Sequence, residues 1–258
     1  MIEFTIIIFV VHSIEEMLRI HLLDIFRGIS VSAMIVYHFF WDLGYFKFIE
    51  LENITRGLPL LFAQCIGASF IVISGISLRL ASYSNNFITK FLKRMLVLVL
   101  ICLAITSITF YIDKKNFIFF GILHFLVTCS LVGLLLLKIK NNNILFILFF
   151  CSLAVSTSEI TFDLPSQLSW LGFNSKVPIT NDFYPLFPWV SFYFFGLWIS
   201  EPLRIYLTHR SGNCGNCYPK FVIVYNGLQF LGRNSLTVYI LHQPIFFSLF
   251  LIFIRISS

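Results

Sequence analysis

Long apolar blocks alternate with short polar segments along this chain of 258 residues. Seven of these blocks approach the roughly 20 residues that an α-helix needs to cross the hydrocarbon core of a bilayer. They lie at residues 25–46, 58–79, 92–112, 117–137, 144–160, 184–203 and 234–254. The fifth is the weakest, because it ends in the polar run Ser-Thr-Ser-Glu. The pattern predicts an all-α, polytopic transmembrane helix bundle with about seven spanning helices.

Two further apolar segments are too short to span a bilayer. Residues 1–11 also lack the basic region and the small-residue cleavage site of a signal peptide. We therefore interpret residues 1–18 as a short apolar or interfacial segment, and residues 19–258 as one membrane domain. Residues 221–231 fit a helix that lies on the membrane surface.

The composition supports a membrane protein. Hydrophobic residues make up 58% of the chain and charged residues only 12%, about half the charged share of a soluble domain. A water-soluble globule and a disordered chain are both excluded. Four of the six cysteines lie within apolar runs, and Cys214 and Cys217 form one CxxC loop. Because a structural zinc site needs a second such pair or a histidine pair, we predict no metal site.

The distribution of lysine and arginine predicts the orientation. With a cytoplasmic N-terminus, twelve of the eighteen basic residues fall on the cytoplasmic side and six outside. The positive-inside rule favours this arrangement. The net charge of +6 therefore indicates membrane topology, and we predict no nucleic-acid partner.

One histidine and one aspartate lie within the first predicted span, as His38-Phe-Phe-Trp-Asp42. Residues four apart share a helix face, so Asp42 could orient His38 and stabilise its protonated form. At 1.5 Å per residue, His38 would lie about 20 Å from the inner face and about 10 Å below the outer one. Ionisable residues at membrane depth are candidates for function, although His38 could also serve only to fasten the bundle.

Other polar residues are predicted near the outer side. His124 lies in the fourth span, about 10 Å below the outer face, and Asp182 directly precedes the sixth span. Segment 161–183 contains Pro165, Gly172 and Pro178, and is either a functional loop or a plain connector. If the first and fourth spans are neighbours, His38, Asp42 and His124 can meet at one level.

His242 and the basic residues are predicted towards the inner side. His242 precedes Gln243-Pro244, about 12 Å from the cytoplasmic face, and structural use is as plausible as ligand contact. Arg27, Arg94 and Arg233 lie at cytoplasmic ends of spans, where arginine can bind phosphate or anchor lipid headgroups. This layout fits an enzyme with a phosphorylated cytoplasmic donor, but equally a proton-coupled transporter.

Several blocks, in order, resemble the catalytic-domain family of heparan-α-glucosaminide N-acetyltransferase. The first is Arg19-Ile-His-Leu-Leu-Asp24-Ile-Phe-Arg27-Gly28, which leads to His38. The others are Phe70-Ile-Val-Ile-Ser74-Gly75, Phe120-Gly121-Ile-Leu-His124, Asp182-Phe-Tyr-Pro185-Leu-Phe-Pro188-Trp189 and Leu231-Gly232-Arg233-Asn-Ser235-Leu-Thr-Val-Tyr239-Ile-Leu-His242-Gln243-Pro244. The resemblance covers about residues 19–250.

The resemblance implies acetyl transfer from acetyl-CoA to an amine or hydroxyl of a sugar or other small envelope acceptor. The expected catalytic residues are His38, Asp42 and His124; Arg27, Arg94 and Arg233 would hold the CoA phosphates. Asp182, Trp189, His242 and Gln243 would contact the acceptor. We expect a multi-pass protein of a bacterial inner membrane that acts on a small molecule or glycan, contacts lipid and could form a homo-oligomer. An acyltransferase for longer acyl-CoA, a proton-coupled carrier that uses His38 and Asp42, and a structural subunit are the alternatives.

Overall fold

The computed structural model describes residues 2–139, 141–158, 161–211 and 222–257, with side chains omitted for residues 2–20, 156, 207–211, 222 and 257. Within these ranges the regular structure is helical, and strand contacts are limited to isolated bridges. The helices are α1 (Ile2–Tyr45), α2 (Glu52–Thr55), α3 (Gly57–Ala81), α4 (Phe87–Ile112), α5 (Ile122–Leu136), α6 (Asn142–Thr157), α7 (Leu186–Ser211), α8 (Val222–Arg233) and α9 (Ser235–Ser257). A short 3₁₀ helix covers Ser166–Leu171.

Four helices in the described ranges are long and apolar enough to cross a membrane: His21–Tyr45, Gly57–Ala81, Phe87–Ile112 and Ser235–Ile256. They correspond to the first, second, third and seventh predicted spans. The fourth and fifth correspond to the shorter apolar helices Ile122–Leu136 and Asn142–Val155. The sixth corresponds to α7, which contains Pro202. The predicted all-α membrane bundle is confirmed.

The fourth predicted span begins later than the sequence pattern indicates. Its first residues, 117–121, lie in a loop in which the N–H of Ile118 donates to the Thr109 hydroxyl at 3.1 Å and the carbonyl of Phe120 accepts the N–H of Tyr184 at 3.2 Å. These bonds compete with helix formation. The helix consequently starts only at Ile122.

The chain divides into two compact units, which are described separately. Unit 1 contains Met1–Ile73 and Arg204–Ser258, and unit 2 contains Ser74–Leu203. The predicted division at residue 18 remains a prediction.

In unit 1, both α8 and α9 pack against α1, and their chains run in opposite directions along it. Ring contacts between α1 and α9 advance together along both helices, from His38–His242 at 4.8 Å to Tyr45–Phe247 at 5.2 Å, so these helices are parallel. Helix α8 is antiparallel to α1. The prediction of a surface helix at 221–231 is therefore corrected: the described part of this segment packs lengthwise on α1.

Two glycines explain why α1 and α8 approach so closely. A β-carbon at Gly28 would overlap the carbonyl oxygen of Leu228, and one at Gly232 would overlap the carbonyl oxygen of Asp24. Small residues of this kind let helix backbones come together inside membranes. Beside this crossing, Val31, Met34 and Ile66 form a buried apolar cluster to which α9 contributes Val238 and Tyr239.

Unit 2 is built around Tyr193 of α7, whose side chain is fully buried. The space for its ring is created by Gly133 of α5, where a β-carbon would lie 2.7 Å from the tyrosine hydroxyl. Two loops of this unit are also joined: Thr180 donates to the carbonyl of Phe117 at 2.8 Å, and the N–H of Tyr184 donates to the carbonyl of Phe120 at 3.2 Å. The end of segment 161–183 is thus fastened to the loop before α5.

Candidate functional site

Two histidines and a carboxylate–amide pair meet where α1 lies beside α9. The rings of His38 and His242 have their centroids 4.8 Å apart. One turn further along, the amide nitrogen of Gln243 donates a hydrogen bond of 2.7 Å to the carboxylate of Asp42, which is fully buried. We call these four residues the imidazole cluster. It draws on two helices that are adjacent in space and about 200 residues apart in sequence.

The imidazole cluster holds four buried polar atoms that have no hydrogen-bond partner among the described residues. They are His38 Nδ1, Asp42 Oδ2, His242 Nε2 and Gln243 Oε1. Buried polar atoms in folded proteins are nearly always paired, because leaving one unpaired costs about 1–3 kcal/mol. Four such atoms in one place indicate a site that a polar ligand or water completes.

The tautomer of His242 follows from its one hydrogen bond. Its Nδ1 lies 2.7 Å from the carbonyl oxygen of Tyr239. Because a carbonyl only accepts, Nδ1 must carry the proton. In the neutral ring, Nε2 then presents a lone pair to the cluster.

A second polar cluster lies nearer the beginning of α1. The Asp24 carboxylate, 5% exposed, accepts hydrogen bonds from Arg27 at 2.8 Å and from Arg233 at 3.2 Å. Arg233 also approaches His21 Nδ1 at 3.4 Å. This arginine cluster has two positive charges and one negative charge, so an anion can bind it with net attraction. Arg27 lies about 16 Å along α1 from His38, at 1.5 Å per residue.

In unit 2, both ring nitrogens of His124 are engaged. Its Nδ1 accepts from the backbone N–H of Gly121 at 3.3 Å, and its Nε2 lies 3.0 Å from the Thr106 hydroxyl. That hydroxyl in turn donates to the carbonyl of Ile118 at 2.9 Å. The described contacts therefore hold His124 as a neutral ring that donates through Nε2, and they brace the loop before α5.

The Asp182 carboxylate caps the start of α5. It accepts the backbone N–H of Ile122 at 3.0 Å, which satisfies a helix N-terminal donor from a distant part of the chain. Burial raises the pKa of Asp182 from 3.8 to about 6, although the bond from Ile122 favours the charged form. Trp189 packs near Tyr184, with ring centroids 4.9 Å apart.

Comparison with known proteins identifies the family. The family model described as "Heparan-alpha-glucosaminide N-acetyltransferase, catalytic" matches residues 19–244. The chain belongs to this family. No significant match was found among curated proteins or among solved structures. The match extends from the arginine cluster through His242 and Gln243, so both polar clusters lie within the acetyltransferase catalytic domain.

Membership of the heparan-alpha-glucosaminide N-acetyltransferase family, with the apolar helices, makes the chain an integral-membrane acyltransferase with an acetyltransferase-like role. The predicted resemblance is confirmed. The carrier alternative gains no support from the comparison.

Two site predictions need correction. The His38–Asp42 pairing predicted from their spacing is not found in the described contacts: Asp42 accepts the amide of Gln243 instead, because α9 brings that amide within 2.7 Å. His242 was predicted nearer the cytoplasmic face than His38, but the two rings touch. That depth count placed each histidine along its own predicted span and took no account of how α9 packs on α1.

The structure brings some predicted residues together and separates others. Arg27 and Arg233 share Asp24, whereas Arg94 belongs to α4 in unit 2. Sequence reasoning missed His21, although its position three residues before Asp24 was a usable signal. It also missed the Tyr239 carbonyl, which no residue pattern could reveal. Cys214 and Cys217 lie outside the described residues.

Proposed function

We propose that this protein transfers an acetyl group from cytoplasmic acetyl-CoA to an amine or hydroxyl of a sugar or other small envelope acceptor. The observation that carries the proposal is the set of four buried, unpartnered polar atoms in the imidazole cluster. In a member of this family, that cluster is the natural place for acyl transfer. The protein would act in a multi-pass topology in a bacterial inner membrane.

The donor would be held through its phosphates. Arg27 and Arg233 supply planar guanidinium groups suited to bidentate phosphate contact, and Asp24 fixes both of them. With the N-terminus inside, the arginine cluster would face the cytoplasm, where acetyl-CoA is made. The distance of about 16 Å along α1 leaves room for the pantetheine arm to extend towards His38. Arg94 is the candidate phosphate ligand of unit 2.

The acid–base chemistry would take place in the imidazole cluster, with His38 and Asp42 as catalytic residues and His242 and Gln243 in contact with the acceptor. Proton transfer by a positioned side chain contributes about 10²–10⁴-fold to a rate. In unit 2, His124 remains a proposed acid–base or oxyanion contact, and Asp182 and Trp189 remain proposed acceptor contacts. For His124 to contact a substrate through a ring nitrogen, one of its present hydrogen bonds would have to break.

Binding of labelled acetyl-CoA to the purified protein tests the proposal. Arg27→Ala and Arg94→Ala should each weaken binding. Arg56→Ala is the matched control, because Arg56 is exposed and pairs only at the surface with Glu52. Equal effects of all three changes would contradict the phosphate assignment.

Turnover tests the catalytic part of the proposal. His38→Ala should reduce acetyl transfer by about 10²–10⁴-fold while acetyl-CoA binding and melting temperature are retained. Normal turnover in a folded His38→Ala protein would exclude the imidazole cluster as the reaction centre. Mass spectrometry of envelope extracts, with and without the gene, would then identify the acetylated product.

A further inference from the structure

We propose that His242, rather than His38, is the general base, and that His38 donates a hydrogen bond to the oxyanion; this inference rests on the proposed acetyltransferase function. It follows from the donors and acceptors that the imidazole cluster leaves unpaired. Acetyl transfer needs one group that accepts a proton from the attacking acceptor and another that donates to the negatively charged oxygen.

His242 has the hydrogen-bonding arrangement of a base. A histidine acts as a base through one ring nitrogen when its other nitrogen is held by a hydrogen-bond acceptor. The carbonyl of Tyr239 holds Nδ1–H of His242 at 2.7 Å. Its Nε2 is buried without a partner in the described structure, and the residue as a whole is only 9% exposed. The lone pair is therefore oriented before any substrate binds.

His38 has no comparable hydrogen bond among the described contacts. The Asp42 carboxylate accepts the Gln243 amide through Oδ1, and neither its Oδ2 nor His38 Nδ1 has a partner among the described residues. The other three unpaired atoms are all acceptors: Asp42 Oδ2, Gln243 Oε1 and neutral His242 Nε2. Of the two histidines, His38 is therefore the one that can offer an unpaired N–H, through Nδ1, beside the second N–H of the Gln243 amide.

These groups give a balanced reaction. The acceptor N–H or O–H gives its proton to His242 Nε2 as the nitrogen or oxygen forms a bond to the carbonyl carbon of acetyl-CoA. Asp42 and Gln243 hold the remaining hydrogens of the acceptor, and His38 donates to the oxyanion. The carbon–sulfur bond then breaks, and the protonated His242 returns the proton to the thiolate. The products are the acetylated acceptor and CoA.

The tautomer can be measured without turnover. Nitrogen NMR of protein labelled with ¹⁵N-histidine, with the resonance assigned by its loss in His242→Gln, should show a protonated Nδ1 and an unprotonated Nε2 in the neutral ring. The opposite tautomer would overturn the assignment of His242 as base, and it would leave the proposed acetyltransferase function intact.

Glutamine substitutions then separate the two roles, with glucosamine and glycerol as model amine and hydroxyl acceptors. A glutamine amide can replace a neutral N–H donor but not a base. We expect His242→Gln to lower kcat by about 10²–10⁴-fold with little change in KM. His38→Gln should recover most of the activity that His38→Ala loses. Ser248→Ala, on the same helix with its hydroxyl bound to its own backbone at Pro244, is the matched control.

The pH profile provides a second readout. The acidic limb of kcat/KM should disappear in His242→Gln, although the titratable groups around this ring are kept: His38 and Tyr239 in ring contact, and Asp42 on the adjacent Gln243. If His38→Gln is as inactive as His38→Ala and His242→Gln retains kcat, the two roles are reversed and the inference fails. If the wild-type protein releases no CoA with either acceptor, the proposed function fails together with the inference.

Discussion

The close crossing of α1 and α8 predicts opposite effects for two glycine substitutions on the same helix. A β-carbon at Gly232 would overlap the Asp24 carbonyl oxygen, whereas a β-carbon at Gly227 would meet nothing within 4 Å. Both changes to alanine gain about 0.4–1 kcal/mol from the reduced freedom of the unfolded chain. Only Gly232→Ala must also push the two backbones apart.

The magnitudes separate the two variants clearly. Overpacking of this kind costs about 1–3 kcal/mol, so after the gain is subtracted Gly232→Ala should lose about 0–2.6 kcal/mol. One kcal/mol shifts the melting temperature of a chain of this size by about 2–4 °C. We therefore expect Gly232→Ala to melt up to about 10 °C lower than wild type, and Gly227→Ala about 1–4 °C higher. Displacement of the neighbouring Arg233 from Asp24 should also weaken CoA binding in Gly232→Ala alone.

Thermal melting in detergent, followed by tryptophan fluorescence, measures both variants under the same conditions. Binding of labelled CoA to the same samples measures the second effect. A melting temperature for Gly232→Ala at or above that of Gly227→Ala would refute the close packing of α1 on α8.

Three further changes test other parts of the structure. Asp182→Asn keeps an oxygen for the N–H of Ile122 but removes the charge. Because folding raises the pKa of the Asp182 carboxyl to about 6, the wild-type protein should lose about 3 kcal/mol of stability as the pH rises from 4 through 6. Melting curves of the variant should lack this pH dependence. Gly133→Ala would place a β-carbon 2.7 Å from the Tyr193 hydroxyl and should cost about 1–3 kcal/mol in denaturant unfolding; an unchanged midpoint would contradict the packing of unit 2. Arg233→Ala should weaken CoA binding by about 10–100-fold in equilibrium titrations, and unchanged affinity would remove it from the donor site.

The sequence predicted the helices well because each apolar block must satisfy its backbone hydrogen bonds internally in lipid. Four predicted spans are helices of spanning length, and the family resemblance was correct. The start of α5 was placed too early because the apolar count ignored the hydrogen bonds that the backbone of Ile118 and Phe120 forms with Thr109 and Tyr184.

The candidate site was only partly predictable. Its members on α1 stand out as polar residues in an apolar span, and His242 and Gln243 stand out on α9. Their meeting depends on the register of the two parallel helices α1 and α9, which is set by side-chain packing between residues far apart in sequence. Spacing within one helix predicted a bond from Asp42 to His38, but a side chain 201 residues away forms a bond with Asp42 instead.

Acetyl transfer by the purified protein tests the central claim most directly. Protein reconstituted in lipid vesicles is supplied with acetyl-labelled CoA and an extract of envelope glycans, and both CoA release and labelled product are measured for wild type and for His38→Ala. We predict protein-dependent transfer of label that falls by about 10²–10⁴-fold in the variant while donor binding persists. Folded wild-type protein that neither binds acetyl-CoA nor releases CoA would contradict the account.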